Sequence, residues 1–146
     1  AAITPRDVCP AGPSPFGVSE LGARARDTHK LESWCLWGLV APWPEGEAVY
    51  DERSPLTQVD RLSAPLILLQ GTEDRVVPPA QAHLMADALR AKGLPVALVL
   101  FEGEGHGFRA LDNQVRALEC ELSFYAQVFG FTPADDLVPV EVENLP

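Results

Sequence analysis

Two short, unbroken apolar runs dominate the middle of the chain. Pro65-Leu66-Ile67-Leu68-Leu69 lies between an Ala-Pro pair and Gly71. Such a run predicts a strand buried on both faces, as in a parallel sheet. Leu94–Phe101 (LPVALVLF) predicts a second strand of the same kind. Between them, residues 80–92 (AQAHLMADALRAK) predict a helix closed by Gly93 at its C-cap. Further on, Phe108, Leu111, Val115, Leu118, Leu122, Tyr125 and Phe129 alternate steps of three and four. That spacing predicts a helix over 108–129 with the stripe as core packing. The order strand, helix, strand, helix predicts a right-handed parallel βαβ unit.

The first half of the chain is less regular. Residues 8–18 are apolar enough for a strand, but Pro10, Pro13 and Pro15 remove ladder donors and argue against a well-formed interior strand. A helix is predicted around Asp27–Val40. Residues 41–55 form a loop dense in proline and charge, with one short helical turn. Ser54-Pro55 opens a short helix to Leu62, with Ser54 as cap. Residues 132–146 read as an irregular acidic tail, and a length of 146 residues suggests one domain, 1–146.

Composition narrows the function classes. Hydrophobic residues make up 47% of the chain, which excludes a disordered bulk. The net charge is −10 with no basic patch, so no nucleic-acid partner is expected. No apolar run is long enough to span a membrane. Cys9, Cys35 and Cys120 are an odd set without a C-x-x-C pair, which argues against a zinc site or a disulfide framework. They read as buried free thiols. With no secretory leader pattern, the expected location is cytoplasmic. No cofactor and no metal are implied.

Chemistry concentrates where the two predicted strands end. In open α/β sheets, ligands sit beyond the carboxyl ends of the strands. Gly71-Thr72-Glu73-Asp74-Arg75-Val76-Val77-Pro78 follows the first strand, and Gly103-Glu104-Gly105-His106-Gly107-Phe108 follows the second. Neighbouring parallel strands end at one edge, so Asp74 and His106 are expected to meet. A carboxylate accepting an imidazole N–H fixes the ring's tautomer and stabilises the imidazolium formed when the histidine takes a proton. Glu73 is the rival acid. Glu102 and Glu104 read as solvated. His29 and His83 fall in predicted helices and read as surface or packing residues. Ser14, Ser19 and Cys9 lack the strand–turn–helix context of an exposed nucleophile.

The pattern G-x-x-D-x-x-V-P after an apolar strand, then G-H-G-F roughly thirty residues later, resembles the prolyl oligopeptidase family of serine peptidases. It looks most like the dipeptidyl-peptidase and acylaminoacyl-peptidase branch. Gly17-Val18-Ser19-Glu20-Leu21, Asp27-Thr28-His29-Lys30-Leu31-Glu32-Ser33, Ser54-Pro55-Leu56 and the helix Arg116–Phe131 extend the resemblance over about residues 12–145. It implies the C-terminal part of an α/β-hydrolase fold, parallel strands with flanking helices, in which Asp74 and His106 are the acid and histidine of a Ser-Asp-His triad. The family's serine sits in G-x-S-x-G-G, and no G-x-S-x-G occurs in these residues. The nucleophile-bearing half is therefore expected upstream of residue 1, with residues 1–7 as the tail of the helix that follows the serine.

Three functions follow as expectations. The first is a portion of a serine peptidase that acts on peptide substrates in the complete enzyme and is inactive alone. The second is a portion of an esterase or dienelactone-type hydrolase, because one fold hosts many chemistries. The third is a non-catalytic remnant or binding module. An unpaired strand edge near residues 8–17 further suggests self-association, or docking of the upstream catalytic segment.

Overall fold

The computed structural model describes residues 9–27 and 35–146. Its elements are β1 (Gly12–Pro15), α1 (Leu21–Asp27), α2 (Cys35–Leu39), α3 (Glu47–Arg53), a 3-10 helix (Leu56–Arg61), β2 (Leu66–Gly71), α4 (Ala80–Lys92), β3 (Val96–Phe101) and α5 (Leu111–Phe129). The strands form one parallel sheet in the order β1-β2-β3. Leu66 pairs with Val96 at one end and Gly71 with Phe101 at the other, so β2 and β3 finish together. All six residues of β2 are buried, as its unbroken apolar run requires.

Each face of the sheet carries its own core. Ile67, Leu69, Ala97 and Phe101 pack against Ala117, Cys120 and Phe124 of α5 and against Val140. Leu66, Leu68 and Val96 pack against Met85, Ala86 and Leu89 of α4 and against Leu62. α4 ends at Gly93, whose φ of 72° allows the left-handed C-cap.

β1 forms despite its prolines. The Gly12 and Phe16 N–H groups donate to Pro65 O and Leu69 O, each at 3.1 Å. Along a strand, alternate residues direct their N–H to the same neighbour. Pro13 and Pro15 thus fall on the opposite parity, where no bond to β2 is lost. The spacing of the prolines matters more than their number.

The apolar stripe on α5 overturns its expectation. Leu111 is 70% exposed and Leu118 69%, and Val115, Leu122 and Phe129 are also exposed. The side turned to the sheet carries Ala117, Cys120, Ser123, Phe124 and Ala126 instead. Small residues let the helix sit close to the strands, with Phe124 as the large anchor. Of the stripe, Tyr125 is partly packed on this core, as is Phe108, which precedes the helix.

Other expectations shift in detail. The loop before Ser54 contains a seven-residue helix, α3, anchored by the fully buried Tyr50. Ser54 does not cap the following helix. It is buried, donates to Tyr50 O and accepts from Leu21 N, each at 2.8 Å. The expected helix Asp27–Val40 is represented by the end of α1 and by α2, and its residues 28–34 lie outside the described residues, as do residues 1–8. Only Cys120 is a buried thiol, while Cys9 is half-buried, Cys35 is exposed, and all three are free. Burial pushes the Cys120 thiol up. Residues 132–146 contain no helix, yet they pack back on the domain. Val140 N donates to Ser123 Oγ at 3.0 Å, Glu143 bridges Val96 antiparallel, and the Glu143 carboxylate takes two Arg90 N–H groups at 2.8 Å. No helix among the described residues is long and apolar enough to cross a membrane.

Candidate active site

The loops that leave β2 and β3 are laced together by backbone bonds. Thr72 N donates to Phe101 O at 3.0 Å and Glu73 N to Glu104 O at 2.9 Å, while Gly103 N donates to Thr72 Oγ1 at 3.0 Å. This close approach depends on Gly71. A Cβ there would stand 2.3 Å from Glu104 O and 2.6 Å from Gly105 O. Gly107 turns the chain after the histidine with φ of 96°, a region that side chains disfavour.

The lacing brings Asp74 and His106 together. His106 Nδ1 lies 2.9 Å from Asp74 Oδ2. The Asp74 side chain is fully buried, whereas that of His106 is 41% exposed. Asp74 Oδ1 accepts Val76 N at 2.9 Å and Val77 N at 2.8 Å, and Gln70 Nε2 approaches Oδ2 at 3.3 Å. Hydrogen bonds to a charged group contribute about 1.5–3 kcal/mol each, so four donors offset much of the cost of burying a carboxylate. With Nδ1 held, His106 Nε2 is the nitrogen available to a reacting group, and it makes no hydrogen bond among the described residues. Such an arrangement can accept a proton at Nε2 and stabilise the resulting imidazolium.

The rival residues stand apart from this pair. Glu73 is exposed and reaches the histidine loop only through its backbone. His83 is exposed on α4, and His29 lies outside the described residues. Ser19 is buried and donates to Gln81 O at 2.7 Å. Ser14, Ser19 and Cys9 line a cavity of about 570 Å³ bounded by Leu66, Leu68 and Met85, on the α4 side of the sheet. Among the described residues, no three His, Cys, Asp or Glu side chains converge to hold a metal ion.

Three neighbours of the pair escaped the sequence reading. Glu104 was expected in solvent but is buried. Its carboxylate accepts Arg109 N at 2.9 Å, Ala110 N at 3.0 Å and Asn113 Nδ2 at 2.8 Å. The Asn113 amide, then those two backbone N–H groups, hold its carboxyl below the usual range. The side chain therefore ties the histidine loop to the start of α5, which explains why that helix begins at Leu111 rather than Phe108. Phe16 leaves β1 with φ of 52°, a strained value for an aromatic residue. Its ring lies 5.3 Å from that of His106 and 4.8 Å from that of Phe108, walling one side of the imidazole. Gln70 is fully buried beneath Asp74. The sequence did hold a signal for it, a single amide closing an otherwise apolar strand.

A model of the prolyl oligopeptidase family matches residues 16–132. The chain belongs to that family. It is 36% identical over 110 residues to dipeptidyl aminopeptidase BIII of Pseudoxanthomonas mexicana, a match covering 69% of this chain and 16% of the relative. It is 33% identical over 91 residues to esterase LipC of Mycobacterium tuberculosis, covering 62% of this chain and 22% of the relative. Among solved structures, a Mycobacterium tuberculosis puromycin-hydrolyzing peptidase superposes with a TM-score of 0.90 at 48% identity, over 97% of this chain and 22% of that one. The chain thus spans about a fifth of the length of these relatives. Its parallel sheet and flanking helices are part of the α/β-hydrolase fold of prolyl oligopeptidase family enzymes.

Proposed function

We propose that this chain supplies the acid, Asp74, and the histidine, His106, of a Ser-Asp-His triad for peptide-bond hydrolysis. It is the C-terminal part of the catalytic domain, the serine comes from a segment preceding residue 1, and the chain is inactive without it. The observation that carries the reading is the 2.9 Å contact between a fully buried carboxylate and a half-exposed imidazole where two parallel strands end. In this reading His106 Nε2 takes the serine proton during attack on the carbonyl and then returns it to the leaving amine. Asp74 holds the tautomer and stabilises the imidazolium meanwhile. Peptides are the favoured substrates, because the matching relatives include a dipeptidyl aminopeptidase and a puromycin-hydrolyzing peptidase. Three free cysteines suit a reducing compartment such as the cytoplasm. Likeness to esterase LipC favours ester hydrolysis as the second reading, with the same two residues in the same roles.

The test has two arms. This chain alone is expected to give no stoichiometric fluorophosphonate labelling. A longer polypeptide that joins it to a G-x-S-x-G-G segment is expected to be labelled and to cleave aminoacyl or dipeptidyl anilides. There, Asp74→Asn should lower kcat by about 10⁴-fold and His106→Ala by about 10⁶-fold. Labelling of a serine within residues 1–146, or full activity of either variant, overturns the assignment. A serine peptidase also hydrolyses esters, the more reactive of the two, so the esterase reading is selected only if short esters are turned over while no anilide of a matched series is cleaved.

A further inference from the structure

Gln70 is a polar side chain in a strand of leucines and isoleucine, and it is fully buried. A buried amide is expected to find partners. Its Nε2 lies 3.1 Å from Gly71 O, 3.3 Å from Asp74 Oδ2 and 3.1 Å from Val77 O. All three acceptors belong to the segment that carries Asp74. They also set the orientation of the amide, because a flip would place Oε1 against three oxygens. As oriented, Oε1 makes no hydrogen bond among the described residues. The amide is therefore committed to the Asp74 loop on one side and uncompensated on the other.

We propose that Gln70 is a positioning residue for hydrolysis, holding the Asp74 carboxylate from below and sharing Oδ2 with His106. The proposal rests on the reading of Asp74 and His106 given above. Two consequences follow from the geometry. Nε2 has two hydrogens for three acceptors, so at least one is shared, and the amide is held between Gly71 O, Val77 O and the Asp74 carboxylate. Gln70 also draws electron density from the oxygen that faces the imidazole. Without that donor, Oδ2 presents more charge to His106 and favours the imidazolium.

The experiment uses the complete polypeptide containing this chain, with an aminoacyl anilide as substrate. Gln70→Met keeps the volume and removes the donor. It should move the acidic limb of the kcat/KM profile to higher pH, on the order of half a unit. It should also lower kcat about tenfold at neutral pH with KM unchanged. Should Gln70→Met fail to fold, Gln70→Asn withdraws the amide by one methylene and should shift the limb in the same direction by less. Asp74→Asn is measured in parallel. If Asp74→Asn is inactive and the acidic limb of the Gln70 variants stays at the wild-type pH, the positioning role is wrong while the triad reading stands. If Asp74→Asn keeps the wild-type rate, the triad reading fails and this proposal falls with it.

Discussion

Gly71→Ala probes the lacing that brings the two loops together. The added Cβ would meet Glu104 O at 2.3 Å, Gly105 O at 2.6 Å and Glu104 C at 2.7 Å, all of them backbone atoms. Ordinary contact begins near 3.4 Å, so the histidine loop must retreat by about 1 Å. Overpacking of this kind costs about 1–3 kcal/mol. The lower entropy of alanine in the unfolded chain returns about 0.4–1 kcal/mol. The expected net loss is between about 0 and 2.6 kcal/mol, centred at about 1.3 kcal/mol, which lowers Tm by roughly 4 °C at this chain length. The same retreat would stretch the 2.9 Å bond between His106 and Asp74 beyond hydrogen-bonding distance. Urea titration measures the stability, and a crystal structure of the variant measures the contact. Stability within about 0.3 kcal/mol of wild type, with the pair still in contact, would show that the loops are not held by the space at Gly71.

Two further outcomes check the assignment of environments. The Glu104 carboxyl is held low when folded, so its stabilisation is present above the ordinary carboxylate range and is lost as pH falls through the folded value. Glu104→Gln should therefore be less stable than wild type at neutral pH, and urea midpoints measured between pH 6 and pH 3 should converge; a constant gap would refute the role given to the charge. On α5, Leu118→Ser at the exposed stripe should change stability by no more than about 0.5 kcal/mol. Phe124→Ala on the buried side should cost about 3–5 kcal/mol, and the reverse ranking would show that the helix faces are misassigned.

The parts of the fold set by local pattern were legible in the sequence. The strand at 65–69 and the strand within 94–101 are found as β2 and β3, because a run buried on both faces has no alternation to misread. Their parallel pairing then brings Asp74 and His106 to one edge, and the contact follows from topology. What stayed hidden depended on partners far away in sequence. The prolines of β1 matter by parity, and parity is defined only once Gly12 and Phe16 face β2. The stripe on α5 satisfies helical periodicity, but so do Ala117, Cys120 and Phe124, and periodicity does not say which face meets a sheet. Small side chains were the overlooked signal, since a helix lying on a flat sheet packs closest through them.

Glu104 and Gln70 show why the polar surroundings of the pair were harder to read than the pair itself. A glutamate between two glycines after a strand looks like a turn residue, and a glutamine at a strand end looks like a boundary. Each is buried because its partners fold over it. Glu104 takes Arg109, Ala110 and Asn113 from the entry to α5, and Gln70 takes both ends of the Asp74 loop. The two side chains brace the pair from opposite ends, Gln70 below the carboxylate and Glu104 beside the histidine loop. Every one of these bonds lies within residues 70–113, on loops fixed by β2, β3 and the start of α5. The geometry of Asp74 and His106 is therefore set by this stretch of chain. In the triad proposed above, a nucleophile from another segment would meet an acid and a base already aligned, which is the arrangement that lowers the entropic cost of reaching the transition state.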